Sequence, residues 1–220
     1  MKKVIFTVLT GGYDNLIEPA VITEGWDYVC FTDDTTLVSS TWKIRLVENK
    51  ENLSPYKLAR TYKLNPHKFL GEYDISIHID ANAHIIYDLN KLEDEFIDKD
   101  ADINLALHRV RDCLFQEAGA CISFNRGNKD EITNQVISYE KEGMPKHFGL
   151  YSCGFQYRNL KSKKLESFSE QWVNEILKHS IRDQVSFPYV LWKNPLNIST
   201  LDWNTIYTKY FILTTHIKHG

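Results

Sequence analysis

The chain has only four cysteines, and Cys30, Cys113, Cys121 and Cys153 form neither a Cys-x-x-Cys pair nor a zinc-type spacing, which argues against a metal knuckle or a disulfide framework. Three of them sit inside apolar runs, where small buried thiols are common, so all four read as reduced and structural. No apolar stretch approaches the roughly 20 residues that a membrane-spanning helix needs. The run MKKVIFTVLTGG begins like a secretory leader, but its apolar part stops at Gly11 and Gly12. A cytoplasmic protein is expected, any membrane association being peripheral. A formal net charge of -3 provides no global field to draw in nucleic acid. Internal repeats, low-complexity tracts, linkers and a Gly-x-Gly-x-x-Gly fingerprint are all missing. What remains, 220 residues with 43% hydrophobic and 25% charged side chains, is the composition of one soluble globular domain over 1–220, large enough to bury a full core.

The chain is organised around YDISIHIDANAHIIY, residues 73–87. Ile75, Ile77 and Ile79 alternate with Ser76, His78 and Asp80, the period of a pleated strand buried on at least one face. If the chain stays extended past Asp80, Asn82 projects to the same side about 7 Å away, by the strand rise. Both then offer oxygen to one hard cation, across the small Ala81. The other reading is that Asp80 and Asn82 merely end the strand in a turn.

Ahead of this stretch, the β-prone run Val4 to Leu9 feeds Thr10, Gly11, Gly12 and Tyr13, where glycine lets a backbone approach a phosphate or sugar, or simply turns. A second strand, Trp26 to Thr32, ends in Asp33, a candidate nucleotide contact, and a third spans Lys43 to Val47. Ser54 followed by Pro55 is a strong helix start. On that helix Leu58 and Tyr62 share the packing face, while Lys57 and Arg60, three apart, share a basic edge suited to a diphosphate. Beyond the central strand, Leu89, Leu92 and Phe96 mark a short helix. The buried strand Ile103 to Leu107 exits into His108, Arg109, Val110, Arg111 and Asp112, either a site or a charged turn. Asp130 to Glu142 is helical and stops at Gly143. Gly149 to Tyr157 reads as a strand and carries Gly154, where something approaches the backbone. Leu165, Phe168, Trp172 and Ile176 form a core stripe, and Pro188 is expected to kink or end the segment that follows. Ile198 to Leu201 reads as a last short strand. His216 and His219 near the terminus either ligate a metal or fray.

Strands alternating with helices mean α/β with a largely parallel sheet. Residues 57–85, KLARTYKLNPHKFLGEYDISIHIDANAHI, resemble the donor segment of GT-A glycosyltransferases of the glycogenin and lipopolysaccharide-galactosyltransferase kind. The runs LTGGYDNL, DYVCFTDD, IDAN, HRVRDCLFQEA and RDQVSFPYVLW are more closely similar to a glycosyltransferase-like domain family of bacteria and of plant proteins tied to cell-wall polysaccharides. The resemblance implies a single GT-A domain with a Rossmann-like, mostly parallel sheet flanked by helices. It implies Mn²⁺ or Mg²⁺ held by Asp80, Asn82 and His216, with Asp183 and Gln184 beside the reacting sugar. Asn82 departs from the second aspartate of the wider superfamily, and the terminal HIKHG departs from the glycogenin-like tail.

On this reading the protein moves a sugar, with retention, from a nucleoside-diphosphate donor, foremost a UDP-sugar, to a saccharide or lipid-linked acceptor in surface polysaccharide or glycoconjugate synthesis. Thr10, Gly11, Gly12, Tyr13, Asp33, Lys57, Arg60 and Asp80 hold the donor. His108, Arg111, Asp112 and Gly154 are candidates for the acceptor or sugar. The rivals are a non-catalytic sugar- or nucleotide-binding scaffold and a metal-dependent nucleotidyltransferase or pyrophosphohydrolase.

Overall fold

A computed structural model describes residues 1–216; His219, one of the two tail histidines considered above, lies outside them. The first apolar run forms β1 (Lys3–Leu9), with Val4, Ile5 and Phe6 fully buried. It is followed by β2 (Trp26–Thr32) and β3 (Lys43–Leu46). Helix α1 (Pro55–Leu64) starts as its sequence dictates: the Ser54 side chain accepts the Lys57 N–H, and Pro55 has no amide to leave unpaired. A single turn, α2 (Pro66–Phe69), leads into β4 (Ile75–Ile79), all five of whose residues are buried. After β5 (Ala83–Ile85) and α3 (Leu89–Phe96) come β6 (Ile103–Leu107), α4 (Leu114–Ser123), α5 (Lys129–Lys141) and β7 (Tyr151–Asn159). Helices α6 (Lys163–Lys178) and α7 (Asp183–Lys193) precede β8 (Ile198–Leu201), the short α8 (Trp203–Thr205), a π-helical turn (Ile206–Tyr210) and β9 (Phe211–Leu213).

Seven strands form one sheet in the order β3-β2-β1-β4-β7-β6-β8. The pairs β2·β3, β1·β2, β1·β4 and β6·β8 are parallel, and β7 alone runs antiparallel to both of its neighbours. This order puts the C-terminal ends of β1 and β4 side by side at the centre, where an open α/β sheet leaves its crevice. Against one face, the α6 stripe of Leu165, Phe168, Trp172 and Ile176 packs with Phe187 of α7, the Trp172 and Phe187 rings 4.8 Å apart. Truncating a buried ring such as Trp172 to alanine costs about 3–5 kcal/mol.

Of the two expectations for Pro188, a kink or an end, the ending is not met: α7 runs on to Lys193. Residues 185 to 191 are all buried, and packing of this kind sustains a helix that propensity alone would break. Lacking an N–H, Pro188 leaves the Gln184 carbonyl without its helical partner in the first turn. The four cysteines are buried and unpaired by disulfide. Among the described residues no helix is long and apolar enough to cross a membrane.

A second, two-stranded sheet pairs β5 with β9, Ala83 opposite Leu213. It carries the chain's end back to the exit of β4: the Thr214 N–H donates to the Asn82 carbonyl (2.9 Å), and the Asn82 side-chain amide donates to the Thr214 carbonyl (2.8 Å).

Candidate active site

Asp80 leaves β4 directly into a turn closed by the Ala83 N–H on the Asp80 carbonyl (2.9 Å), so the extended geometry does not continue to Asn82. Both residues nonetheless line one cavity of about 780 Å³ at the ends of β1 and β4. Gly154, on the antiparallel β7, lies against Asp80. The Asp80 N–H donates to the Gly154 carbonyl (2.9 Å), and a Cβ on Gly154 would stand 2.9 Å from Asp80 Oδ2 and 2.8 Å from the Tyr207 hydroxyl. Any larger residue here would displace the carboxylate, the close-approach role expected of this glycine.

The centre of the site is an ammonium between two carboxylates. Lys63, in the last turn of α1 and 3% exposed, places Nζ 3.0 Å from Asp80 Oδ1 and 2.7 Å from Asp183 Oδ2. Arg60, one turn earlier, has Nε 3.5 Å from Asp183 Oδ2 and donates to the Ile181 carbonyl. Burial by itself would raise the Asp183 carboxyl, but the Lys63 and Arg60 cations overcome it and hold the group well below the usual carboxylate range. Beneath them the buried Arg158 donates to the Lys63 carbonyl (2.8 Å) and pairs with Gln156; burial lowers its guanidinium to about 9. Burial, reinforced by Lys63 and Arg158, keeps His78 neutral, and burial together with Asp80 keeps the Tyr207 phenol protonated. The result is a fixed, charge-dense floor under an open cavity.

The tail supplies a further wall. His216 Nδ1 lies 2.7 Å from Asp14 Oδ2, and its ring sits 5.0 Å from that of Tyr13. A histidine with one ring nitrogen on a carboxylate presents the other as a defined ligand, the arrangement found around metal-binding histidines. The expected metal ligands, Asp80, Asn82 and His216, all line the cavity. Among the described residues no group of three or more His, Cys, Asp or Glu side chains is placed to hold a metal. The candidate trio contains only two such groups, the third being the Asn82 amide. With its nitrogen donated to Thr214, Asn82 keeps its amide oxygen as an acceptor, and Lys63 contacts Asp80 through Oδ1, which leaves Oδ2 as the carboxylate oxygen for a cation. The residues present therefore fit a cation that completes its shell with other oxygens.

Of the other expected residues, Thr10, Tyr13, Arg60, Gly154, Asp183 and Gln184 also line the cavity. Gly11 and Gly12 do not, but their positive φ angles (66° and 58°) make the turn, and Gly11 is pressed so close to Pro55 that a Cβ would lie 2.6 Å from it. Asp33 lies outside the lining and accepts the Gly11 N–H (2.9 Å), so it holds the turn. Lys57 is turned away as well, donating to the Leu177 carbonyl at the end of α6. His108, Arg111 and Asp112 also lie outside the cavity. Arg111 Nη2 and His108 Nε2 reach the buried Glu117 (2.7 and 3.5 Å), and Asp112 pairs with His147. Sequence reasoning missed Lys63, although its spacing of three from Arg60 puts it on the same helix edge. It also missed Asp14 and Tyr207, for which no local pattern gave a signal.

The TOD1/MUCI70 glycosyltransferase-like domain family model matches residues 2–206. No curated protein sequence matches the chain significantly. Among solved structures, the chain is similar to mouse xyloside xylosyltransferase 1 in its apo form (14% identity, 98% of this chain and 96% of that one, TM-score 0.51). It is also similar to the apo form of the bifunctional glycosyltransferase WbbM (11%, 90% and 38%, TM-score 0.54) and to the glycosyltransferase GlyE of Streptococcus pneumoniae (12%, 94% and 46%, TM-score 0.51). At these identities the likeness is one of fold, the GT-A α/β architecture with its mostly parallel sheet.

Proposed function

The chain belongs to the TOD1/MUCI70 glycosyltransferase-like domain family, and from that premise we propose that it transfers a sugar from a nucleoside diphosphate, foremost UDP, to a hydroxyl of a saccharide or lipid-linked acceptor. The observation that carries this reading is the cavity at the ends of β1 and β4, with Asp80 on its floor and the Arg60 and Lys63 cations beside it. A departing diphosphate gathers negative charge, and preorganised cations at that point lower the barrier. Arg60 is a fixed fork suited to phosphate oxygens, and Lys63 a point charge already held in place by Asp183. Tyr13 and the Thr10 backbone form the wall for the nucleoside. Asp183 and Gln184 orient the sugar, the freed Gln184 carbonyl adding an acceptor; no residue is assigned as a base.

Asp80, Asn82 and His216 would hold Mn²⁺ or Mg²⁺, with Asp14 orienting His216. When bound, the ion supplies Lewis-acid stabilisation of the diphosphate. With one carboxylate, already ion-paired to Lys63, these residues would hold the ion weakly in the absence of donor. Retention at the anomeric carbon, a role in bacterial surface polysaccharide synthesis and a cytoplasmic location with at most peripheral membrane contact belong to the same proposal. The engagement of Asp80 by Lys63 also favours a second reading, a nucleotide- or sugar-binding scaffold in which a resident ammonium has replaced the metal. Calorimetric titration of UDP with and without Mn²⁺, followed by a screen of nucleotide sugars for Mn²⁺-dependent hydrolysis, separates the two. Metal-dependent binding with turnover is expected; UDP binding that ignores Mn²⁺, without turnover, would leave the scaffold.

A further inference from the structure

Most charges around the floor of the cavity are engaged with one another: Arg60 and Lys63 with Asp183 and Asp80, Arg182 and Arg111 with Glu117. Two arginines are different, one in the cavity lining and one stacked on a lining ring. Among the described residues Arg109 and Arg126 form no ion pair, and each lies over an aromatic ring instead, Arg109 5.1 Å from Trp203 and Arg126 5.6 Å from Phe124. Trp203, Phe124 and Arg126 line the cavity, and Phe124 is 67% exposed.

Both pairs are built by local structure. Helix α4 ends with the Arg126 N–H on the Cys121 carbonyl (2.7 Å) and the Asn125 N–H on the Ile122 carbonyl (3.2 Å), the double bond of a Schellman ending. Asn125 takes the left-handed conformation (φ 52°) that this ending needs, and the sharp reversal presents Phe124 and Arg126 side by side. Gly127, next in the chain, lies against Arg182, whose neighbour Asp183 is in the central ion cluster; a Cβ there would be 3.6 Å from Arg182 Cδ. On the other side, the Asp202 side chain caps α8 and sets Trp203, whose ring is 4.8 Å from that of Tyr207. Tyr207 in turn abuts Gly154 and Asp80. Each aromatic–arginine pair thus connects back to the central carboxylates by a different element.

A guanidinium stacked on a ring keeps its N–H edge available for a carboxylate or phosphate, while the ring suits the apolar face of a pyranose. We propose that the outer part of the cavity is a subsite for an anionic glycan, a carboxylate- or phosphate-bearing acceptor gripped between Trp203 with Arg109 and Phe124 with Arg126. This deepens the transferase reading and rests on it for the word acceptor. A neutral glycan would use the rings and leave both cations idle.

The test is titration of the full chain, with UDP and Mn²⁺ present, with three probes: a glucuronate oligosaccharide, the neutral glucose oligosaccharide of equal length, and glucose 1-phosphate, read by tryptophan fluorescence and calorimetry. At least one anionic probe is expected to bind about tenfold more tightly than the neutral one, the size of one charge-assisted hydrogen bond. Which of the two binds better identifies carboxylate or phosphate as the natural group. Arg126→Ala and Arg109→Ala should each remove most of that preference, while Trp203→Ala should weaken charged and neutral probes alike. Thermal unfolding of the arginine variants should be unchanged, since both side chains are exposed. Equal affinity for charged and neutral probes, no binding of either anionic probe at millimolar concentration, or arginine variants with full charge preference would overturn the proposal. UDP titrated alone reports separately on the donor reading: charge-selective glycan binding in a protein that fails to take UDP supports this subsite and removes the donor assignment.

Discussion

Two ionic clusters stand at the exits of β4 and β6, and on paper they look alike: charged and polar residues crowded where an apolar strand ends. At β4, Asp80 shares Lys63 with Asp183, and the cavity opens above them. At β6, His108 and Arg111 fold back onto Glu117, which is 2% exposed and also faces Arg182 at 3.8 Å and the Cys121 thiol at 3.3 Å. The first cluster leaves Asp80 with side-chain exposure of 40% and a free side; the second turns its acid wholly inward. Chemistry needs the former. A buried charge surrounded by its own partners stabilises an architecture, whereas a pair with one oxygen facing a void has something left to bind.

This contrast can be broken in order of effect. Lys63→Met removes the cation shared by two acids and leaves the 5%-exposed Asp183 with Arg60 as its remaining ion-pair partner among the described residues; a loss of about 3–5 kcal/mol in urea unfolding is expected, together with loss of UDP affinity. Glu117→Ala should cost about 2–3 kcal/mol by orphaning Arg111 and Arg182, yet leave UDP affinity nearly unchanged in calorimetry. A large affinity loss there would show that the closed cluster is part of the site after all. Asp80→Ala should do the reverse, weakening Mn²⁺-dependent UDP binding on the order of a hundredfold while stability moves by less than about 1 kcal/mol, because Lys63 keeps Asp183 and Asp80 is partly solvated.

The smallest effect is in pH. Burial, the leading influence, depresses the His108 imidazole below its ordinary 6.5 despite Glu117 nearby. The unfolded chain therefore takes up a proton that the folded one refuses. The stability is fully present above 6.5 and is lost as pH falls from there, by at most ~1.4 kcal/mol per pH unit per proton. His108→Asn should flatten the unfolding free energy between pH 6.5 and 5 by part of that slope. The Asp183 pair titrates in a lower window: with its carboxyl held low, its contribution is fully present above the ordinary carboxylate value of 3.8 and is lost progressively as pH falls from there toward the folded-state value. Equal acid sensitivity of wild type and the His108 variant would show that the closed cluster takes no part in the titration.

Much of the fold was legible because it rests on period and punctuation. The alternation in 75–79, the Ser54–Pro55 start and the α6 stripe each contain their own physical cause within a few residues. Pro188 does not stop its helix, because a local rule met a segment whose interior is buried on nearly every side. At the site, Asp80, Arg60 and Asp183 could be named from motif, but of the two lysines three residues from Arg60 only Lys57 was named. Only the packing of α1 against α6 decides which points inward: the Lys57 ammonium ends on the Leu177 carbonyl.

By itself, then, the chain's order of residues determined the α/β alternation, the place of the acid that ends β4 and the family to which the runs belong, since these depend on near neighbours and turn chemistry. Which charges face a cavity and which face each other was left to the tertiary structure. Asp14 meets His216 across 202 residues, and Lys63 meets Asp183 across 120, only because β9 returns beside β5 and α7 begins where α1 ends. Electrostatic pairing depends on distance in space and on exclusion of water, and neither quantity is written along the chain.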